Sequence, residues 1–147
     1  MKVIAVIPAR YKSTRFEGKP LVNLCGKPMI WWVHHQLCQV KGLSEIYVAT
    51  DDERIRKVCS DYGIKYVMTS DSHPTHLDRL AEFAENIESD FYININGDEP
   101  LMMPEYVERL LPTSDLNPVD FYFANAMTKI KKTVEVADIS RIKVVTD

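Results

Sequence analysis

The residues with the most distinctive chemistry form a basic loop, Arg10 to Lys19, with the sequence R-Y-K-S-T-R-F-E-G-K. The loop carries four cations and follows a hydrophobic run, Val3 to Ile7. An open α/β sheet binds anionic ligands at the carboxyl ends of its buried strands, which is where this loop would lie. Four neighbouring cations supply the several donors that an extended triphosphate requires. The loop therefore predicts a polyphosphate site.

Two other interpretations of this loop have to be weighed. Lys and Arg side chains in a loop are commonly only solvated surface. Here Pro8 and the run Gly18-Lys19-Pro20 restrict the backbone that carries the cations, which favours binding. The loop fits neither G-x-x-x-x-G-K-[ST] nor G-x-G-x-x-G. A P-loop ATPase and a dinucleotide-binding Rossmann domain are therefore disfavoured.

A second polar group, Asn96-Gly97-Asp98-Glu99-Pro100, follows the hydrophobic run that ends at Ile95. A carboxylate at the carboxyl end of a parallel strand points into the same crevice as the basic loop. A hard oxygen ligand at that place suits Mg²⁺ that bridges to phosphates. Asp98 is therefore the candidate metal ligand. The alternative is that Gly97-Asp98 forms only a turn and that Glu99 is solvated.

The hydrophobic pattern predicts alternating strands and helices that would position both groups. Strands are predicted over 3–7, 45–50, 65–68, 91–95 and 119–124. Helices are predicted over 29–41, from an Asp51-Asp52 cap to Gly63, over 77–86 and over 104–111. The third helix is expected to bury Leu77, Leu80, Ala81, Ala84 and Ile87. This alternation predicts an α/β fold with a mostly parallel sheet and right-handed crossovers.

Length and composition are those of an ordinary globular domain. The chain has 147 residues, of which 46% are hydrophobic and 27% charged, and only residues 113–118 resemble a linker. No apolar run approaches the roughly 18 residues of a membrane span. A net charge of −3 argues against a nucleic-acid binder. Three scattered cysteines and a start without a signal-peptide pattern predict reduced thiols and a cytoplasmic location, with no membrane partner.

Several ordered motifs resemble those of the 3-deoxy-manno-octulosonate cytidylyltransferases. In chain order they are residues 7–21 (IPARYKSTRFEGKPL), 26–30 (GKPMI), 49–52 (ATDD), 68–70 (MTS), 78–82 (DRLAE) and 96–100 (NGDEP), and residues 142–147 resemble a further strand of the family. The resemblance implies a Rossmann-like nucleotidyltransferase fold of the GT-A-like type and, in the full-length form, a homodimer. It also implies a reaction of lipopolysaccharide biosynthesis. CTP and an acidic 2-keto-3-deoxy sugar would give the CMP-sugar and pyrophosphate.

The resemblance implies roles for the charged residues of both groups. Arg10, Arg15 and Lys19 would hold the triphosphate, with Ser13 in the same loop. Asp98 would bind Mg²⁺, a metal that polarises the α-phosphate and helps to orient the sugar hydroxyl. Catalysis would then depend on charge neutralisation and alignment, with Arg10, Lys19 and Asp98 as the catalytic residues.

The same resemblance implies a surface that reads the base. The main chain near Pro8-Ala9, together with Met68-Thr69, would read cytosine through amides and carbonyls. Arg79, one turn into a predicted helix, would reach the nucleotide or the sugar phosphate region. The alternative for Arg79 is a surface ion pair with Glu82, three residues further along the helix.

Two stretches depart from the family pattern. Asn96 stands where the family commonly has Gln, and His73-Pro74-Thr75-His76-Leu77 replaces His-x-Ser-Gly-Thr. Asn96 is still expected to contact the ligand, but it reaches less far by one methylene. Either change could shift sugar or nucleotide specificity. His73 and His76 are disfavoured as a metal pair, because neither Cys nor a third His lies near them in the sequence.

Members of the family are longer than this chain. Their distal half contributes a second metal-binding Asp, most sugar contacts and the dimer surface. Residues 1–147 are therefore expected to form the CTP-binding portion, either as a fragment or as a reduced relative. Two alternatives stay open. A related nucleotidyltransferase or glycosyltransferase would read a different base or acceptor, and a nucleotide-binding or assembly module would bind CTP without releasing pyrophosphate.

Overall fold

The fold is that of a parallel sheet covered by helices on both faces. The structure, a computed structural model, describes residues 1–13, 15–113, 122–127 and 129–130. Its strands are β1 (Val3–Ala9), β2 (Asn23–Leu24), β3 (Lys27–Pro28), β4 (Glu45–Thr50), β5 (Tyr66–Met68) and β6 (Phe91–Asn94). Its helices are α1 (Met29–Leu37), α2 (Glu53–Asp61), α3 (His76–Asn86) and α4 (Pro104–Glu108), with a 3₁₀ turn at Lys19–Leu21.

Four strands form the main sheet in the order β5-β4-β1-β6, and every neighbouring pair is parallel. β1 pairs with β4 up to Ala9 opposite Thr50, and with β6 up to Val6 opposite Asn94. The chain moves outward from β1 through β4 and β5, and then returns to place β6 on the other side. The strand order therefore reverses between β1 and β6, which is where open α/β sheets form a ligand crevice. The predicted mostly parallel sheet is confirmed.

Strand β1 lies at the centre of the core because both of its faces are covered. On one face Ala5 and Ile7 pack with Ile30 of α1. On the other face Ile4 and Val6 pack with Phe83 of α3. Burial on both faces explains why β1 is a continuous apolar run rather than an alternating pattern. No helix of the described residues is long and apolar enough to cross a membrane.

Two predicted helices were too long at their carboxyl ends. α1 ends at Leu37 rather than at Lys41, and α4 ends at Glu108 rather than at Leu111. In both cases the chain continues as turns with bonds between residues three apart, such as the Val40 N–H to Leu37 O and the Leu111 N–H to Glu108 O. A tightened last turn of this kind keeps the hydrophobic spacing of a helix for a few more residues.

The inner face predicted for α3 was only partly right. Leu80 and Ile87 pack against the core cluster of Phe83, as predicted. Leu77 is 58% exposed and Ala81 is also exposed, whereas Phe83 and Arg79 are buried. The start of the helix is set by a capping box between Thr75 and Asp78. The prediction named only hydrophobic residues for this face and expected Arg79 to reach the ligand, whereas the folded chain pairs the Arg79 charge inside.

The remaining predicted boundaries differ by a few residues. β4 has the predicted bounds, and the side chain of Asp52 caps α2 by accepting from the Arg54 N–H. β5 begins at Tyr66 and β6 ends at Asn94, each one residue inside its prediction. Residues 122–124 of the predicted strand over 119–124 are not in a strand, because they join no ladder among the described residues. Its other residues, positions 114–118 of the linker and the 142–147 segment lie outside the described residues.

Candidate functional site

A cleft of about 390 Å³ opens at the carboxyl ends of β1 and β6. Most of the residues predicted for the site line it: Pro8, Ala9, Arg10, Ser13, Arg15, Lys19, Asn96 and Asp98. The structure therefore brings these predicted residues together in one cleft. Four further residues line it that had no predicted role: Phe16, Pro20, His76 and Gly97. Of these four, His76 follows a recognisable sequence signal. Thr75 is a typical N-cap residue, which makes His76 the first residue of α3, and this residue lies at the cleft.

The basic loop turns back on itself and returns its last cation to the cleft. Gly18 has a positive φ of 69°, a conformation that favours glycine, and its N–H donates to the Tyr11 carbonyl at 2.8 Å. The Leu21 N–H then donates to the Gly18 carbonyl at 2.8 Å, and Pro20 is buried beneath the turn. This closed shape brings Lys19 to the same cleft as Arg10, at the other end of the loop.

The two predicted chemical centres meet in a direct ion pair. The Lys19 Nζ lies 2.6 Å from the Asp98 Oδ2, although 79 positions separate the residues. Their side chains are 38% and 47% exposed, so the pair contributes little to folding stability. In such a solvent-facing pair, the cation can leave the carboxylate to bind a ligand phosphate. The carboxylate can then bind a ligand cation.

Gly97 lies against the carboxyl end of β1. A Cβ at position 97 would lie 3.4 Å from both the Ile7 Cγ2 and the Pro8 carbonyl oxygen. Next to it, the Asn96 amide donates to the Glu99 Oε1 at 3.0 Å, and Glu99 is exposed to solvent, as the alternative interpretation expected. The Asn96-Gly97 pair thus presents Asp98 to the cleft at the level of the basic loop.

The remaining predicted residues form a separate cluster at the carboxyl ends of β4 and β5. Neither Met68, Thr69 nor Arg79 lines the cleft. The Arg79 guanidinium donates to the Thr69 hydroxyl and lies 3.3 Å from the Asp51 Oδ2. The Arg79 side chain is only 5% exposed and that of Asp51 16%. Arg79 is therefore an internal ion-pair residue that holds Thr69.

The predicted alternative for Arg79, a surface pair with Glu82, is not formed. Glu82 instead accepts from the Ser70 N–H at 2.8 Å and contacts the His73 Nε2. The His73 contact lowers the pKa of Glu82, and the Ser70 bond lowers it further. Glu82 thus fastens the loop after β5 to α3.

The two histidines of the departing stretch have separate roles. His73 pairs with Glu82, whereas His76 lines the cleft. In the described part of the chain no group of three or more His, Cys, Asp or Glu side chains is arranged to hold a metal ion.

Comparisons with known proteins agree with the motifs. The family model described as Cytidylyltransferase matches residues 4–147. A 3-deoxy-manno-octulosonate cytidylyltransferase of Escherichia coli is 47% identical over 110 residues, which are 75% of this chain and 45% of that protein. One of Geotalea uraniireducens is 43% identical over 148 residues, 100% of this chain and 58% of its own length. An 8-amino-3,8-dideoxy-manno-octulosonate cytidylyltransferase of a Shewanella species is 41% identical and is covered to 61%.

Comparison with solved structures also agrees with the motifs. It is CMP:2-keto-3-deoxy-manno-octonic acid synthetase complexed with CTP, with a TM-score of 0.74 and 46% identity, covering 75% of this chain and 46% of that one. A cytidylyltransferase of Leptospira borgpetersenii, at 22% identity and a TM-score of 0.66, supports the fold alone. The chain spans between 45% and 61% of the length of these curated relatives. The predicted nucleotidyltransferase fold and family are confirmed, and the chain belongs to the cytidylyltransferase family.

Proposed function

We propose that the chain is the CTP-binding portion of an enzyme that transfers CMP from CTP to a 2-keto-3-deoxy sugar acid. The observation that carries this proposal is the Lys19–Asp98 pair, which unites a cationic loop and a carboxylate in one cleft at the reversal of strand order. The names of the relatives supply the base and the acceptor class. The proposal favours this reaction over a related transferase with another base or acceptor, and over a module that only binds.

In the proposed reaction the cleft residues bind and align charge. The anomeric hydroxyl oxygen bonds to the α-phosphorus, the bond from that phosphorus to the leaving pyrophosphate breaks, and the hydroxyl proton passes to water. Arg10, Arg15 and Lys19 donate to the triphosphate oxygens and offset the negative charge of the departing pyrophosphate. Both arginines offer planar forks that suit phosphate, while Lys19 acts as a point charge.

Asp98 fits one part of a Mg²⁺ site. Its carboxylate faces the cleft and is about half exposed, and Mg²⁺ is commonly bound by one or two carboxylates together with substrate phosphates and waters. A bound Mg²⁺ would polarise the α-phosphate. If Asp98 held the metal, Lys19 would be released from the carboxylate and would become available to the triphosphate. The metal and the nucleotide are therefore expected to bind together.

The base and the sugar are assigned to different parts of the site. We propose that the main chain at Pro8-Ala9 reads cytosine from within the cleft. The Thr69 N–H already donates to the Thr50 carbonyl, and its hydroxyl oxygen accepts from Arg79, so a contact with the base would use other atoms of Met68-Thr69, such as the main-chain carbonyls. Asn96, at the cleft, is assigned to the sugar side. Further sugar contacts and the homodimer surface are assigned to the remainder of the enzyme.

Calorimetry with four nucleoside triphosphates and a pyrophosphate-release assay test this proposal. In the presence of Mg²⁺, the affinity for CTP should be clearly higher than the affinities for UTP, ATP and GTP. Pyrophosphate should be released when 3-deoxy-manno-octulosonate is supplied to the complete enzyme. Equal binding of all four nucleotides would contradict the cytidylyl assignment. CTP binding by the complete enzyme without any pyrophosphate release would favour the binding module.

Replacement of Lys19 by Ala should weaken CTP binding by about tenfold or more, because a charge-assisted hydrogen bond is worth roughly 1.5–3 kcal/mol. The melting temperature should hardly change, since the exposed pair with Asp98 stabilises the fold little. Titration calorimetry and a melting curve measure the two effects. Lys12→Ala is the matched control, because Lys12 is an exposed cation of the same loop that does not line the cleft. An affinity equal to that of the control would remove Lys19 from the site.

A further inference from the structure

The ring of Tyr11 lies directly against Gly18, at the point where the basic loop closes. A Cβ at position 18 would lie 2.9 Å from the Tyr11 Cζ and 3.0 Å from its hydroxyl oxygen. The main chains of the two residues are joined by the Gly18 N–H to Tyr11 carbonyl bond at 2.8 Å. Tyr11, at the start of the loop that carries the cations, thus contacts Gly18 near the end of the loop.

The Tyr11 ring is also covered by Arg54 of α2. The Arg54 Cζ lies 3.2 Å from the ring centroid, a stacked arrangement in which the cation faces the π-system. Arg54 does not line the cleft, so this contact is its link to the site. The guanidinium therefore meets the loop through an aromatic ring, and the negative charge of Glu17 in the same loop also favours the cation there.

Arg54 is itself held in one orientation. Its Nε donates to the Asp52 Oδ1 at 2.9 Å and its terminal nitrogen to the Asp52 Oδ2 at 2.7 Å, a bidentate pair. Asp52 is also the N-cap of α2, which packs on the sheet through the buried Ile55 and Cys59. The helix contacts the Lys19–Leu21 turn as well. Helix α2, which packs on the sheet, thus contacts both ends of the loop.

We propose that Arg54 is a positioning residue for the CTP-binding loop, which it holds in its closed shape by stacking on Tyr11 against Gly18. The inference deepens the proposed function and rests on it. Asp52 orients the guanidinium, the guanidinium orients the ring, and the ring fixes the turn that delivers Lys19 to the cleft. A loop that is already ordered loses less conformational freedom when it binds a triphosphate, and binding is tighter by that amount.

Two readouts on Arg54→Ala test the inference. When this variant loses a stacked cation at an exposed site, its affinity for CTP should fall about two- to fivefold. Hydrogen exchange of the Gly18 amide should become faster in the absence of CTP, because that amide donates the bond that closes the loop. Arg54→Lys keeps the charge but lacks the planar face, so it should behave like the Ala variant.

Two further variants serve as controls. Arg56→Ala removes a cation two positions along α2 whose partners are Glu53 and Tyr66 rather than the loop, so it should change neither readout. Tyr11→Phe keeps the ring that stacks and should also leave both unchanged. Tyr11→Ala removes the ring and should have at least the effect of Arg54→Ala, and the double variant should be no worse than Tyr11→Ala alone.

Three outcomes would overturn the inference. If Arg54→Ala weakens CTP binding without faster Gly18 exchange, Arg54 touches the ligand directly. If exchange becomes faster and affinity is unchanged, the shape of the loop does not limit binding. If neither changes, the stack does not hold the loop. Should the unsubstituted protein fail to bind CTP at all, the proposed function falls, and the link to CTP falls with it, while Gly18 exchange still reports on whether Arg54 holds the loop.

Discussion

Asp98→Asn is expected to remove the Mg²⁺ enhancement of CTP binding and to lower pyrophosphate release by the complete enzyme by about 100- to 1000-fold. The amide has nearly the shape of the carboxylate but lacks the charge that a hard cation requires. The fold should be kept, since the Asp98 side chain is 47% exposed and its pair with Lys19 stabilises little. Calorimetric titrations of CTP at several Mg²⁺ concentrations, together with the pyrophosphate assay, measure the change.

The same variant has a second expected effect of opposite sign. Without Mg²⁺, Asp98 is a negative charge in a cleft that must accept a polyanion, and it also occupies Lys19. Its replacement by Asn removes that repulsion and frees the lysine, so metal-free CTP affinity should rise or stay the same. Glu99→Gln is the matched control because Glu99 is the adjacent carboxylate and bonds to Asn96. An Asp98→Asn protein that keeps full Mg²⁺ dependence would show that another group holds the ion.

The cleft could be predicted because its position follows from local features of the sequence. Hydrophobic runs mark buried strands, and the residues after each parallel strand must lie at one edge of the sheet. From this rule alone, Arg10 and Asp98 are predicted to lie in the same crevice. The side-chain cap at Asp52 and the positive φ at Gly18 are likewise local, because each depends on its immediate neighbours.

What the sequence did not predict depends on pairing between distant elements. The sequence predicted Arg79 as a ligand contact or as a surface partner of Glu82, and only the arrangement of β4 beside β5 places Asp51 and Thr69 where they can receive its guanidinium. Because Arg79 is on the buried side of α3, Leu77 is on the exposed side. The stack of Arg54 on Tyr11 has the same origin, since no local pattern joins a loop after β1 to a helix after β4.

Arg79→Ala is expected to lower the free energy of unfolding by about 3–5 kcal/mol, the usual result of removing one partner from a buried ion pair. The Asp51 carboxylate would then stay inside without its cation, and its Oδ1 already has no hydrogen-bond partner among the described residues. Thr69 would also lose the donor to its hydroxyl. Urea unfolding followed by circular dichroism measures the difference.

Arg56→Ala again provides a matched control for Arg79→Ala. It removes the same side-chain type from an ion pair with Glu53 whose members are 41% and 70% exposed, so it should cost no more than about 1 kcal/mol. Arg79→Lys should lie between the two, because a single ammonium keeps the charge but cannot reach Thr69 and Asp51 with a fork. If Arg79→Ala instead unfolds like the control and loses CTP affinity, Arg79 is a nucleotide contact, as its motif implied. A large loss of stability, with CTP affinity retained in the fraction that stays folded, would establish Arg79 as an internal support of the β4 and β5 ends.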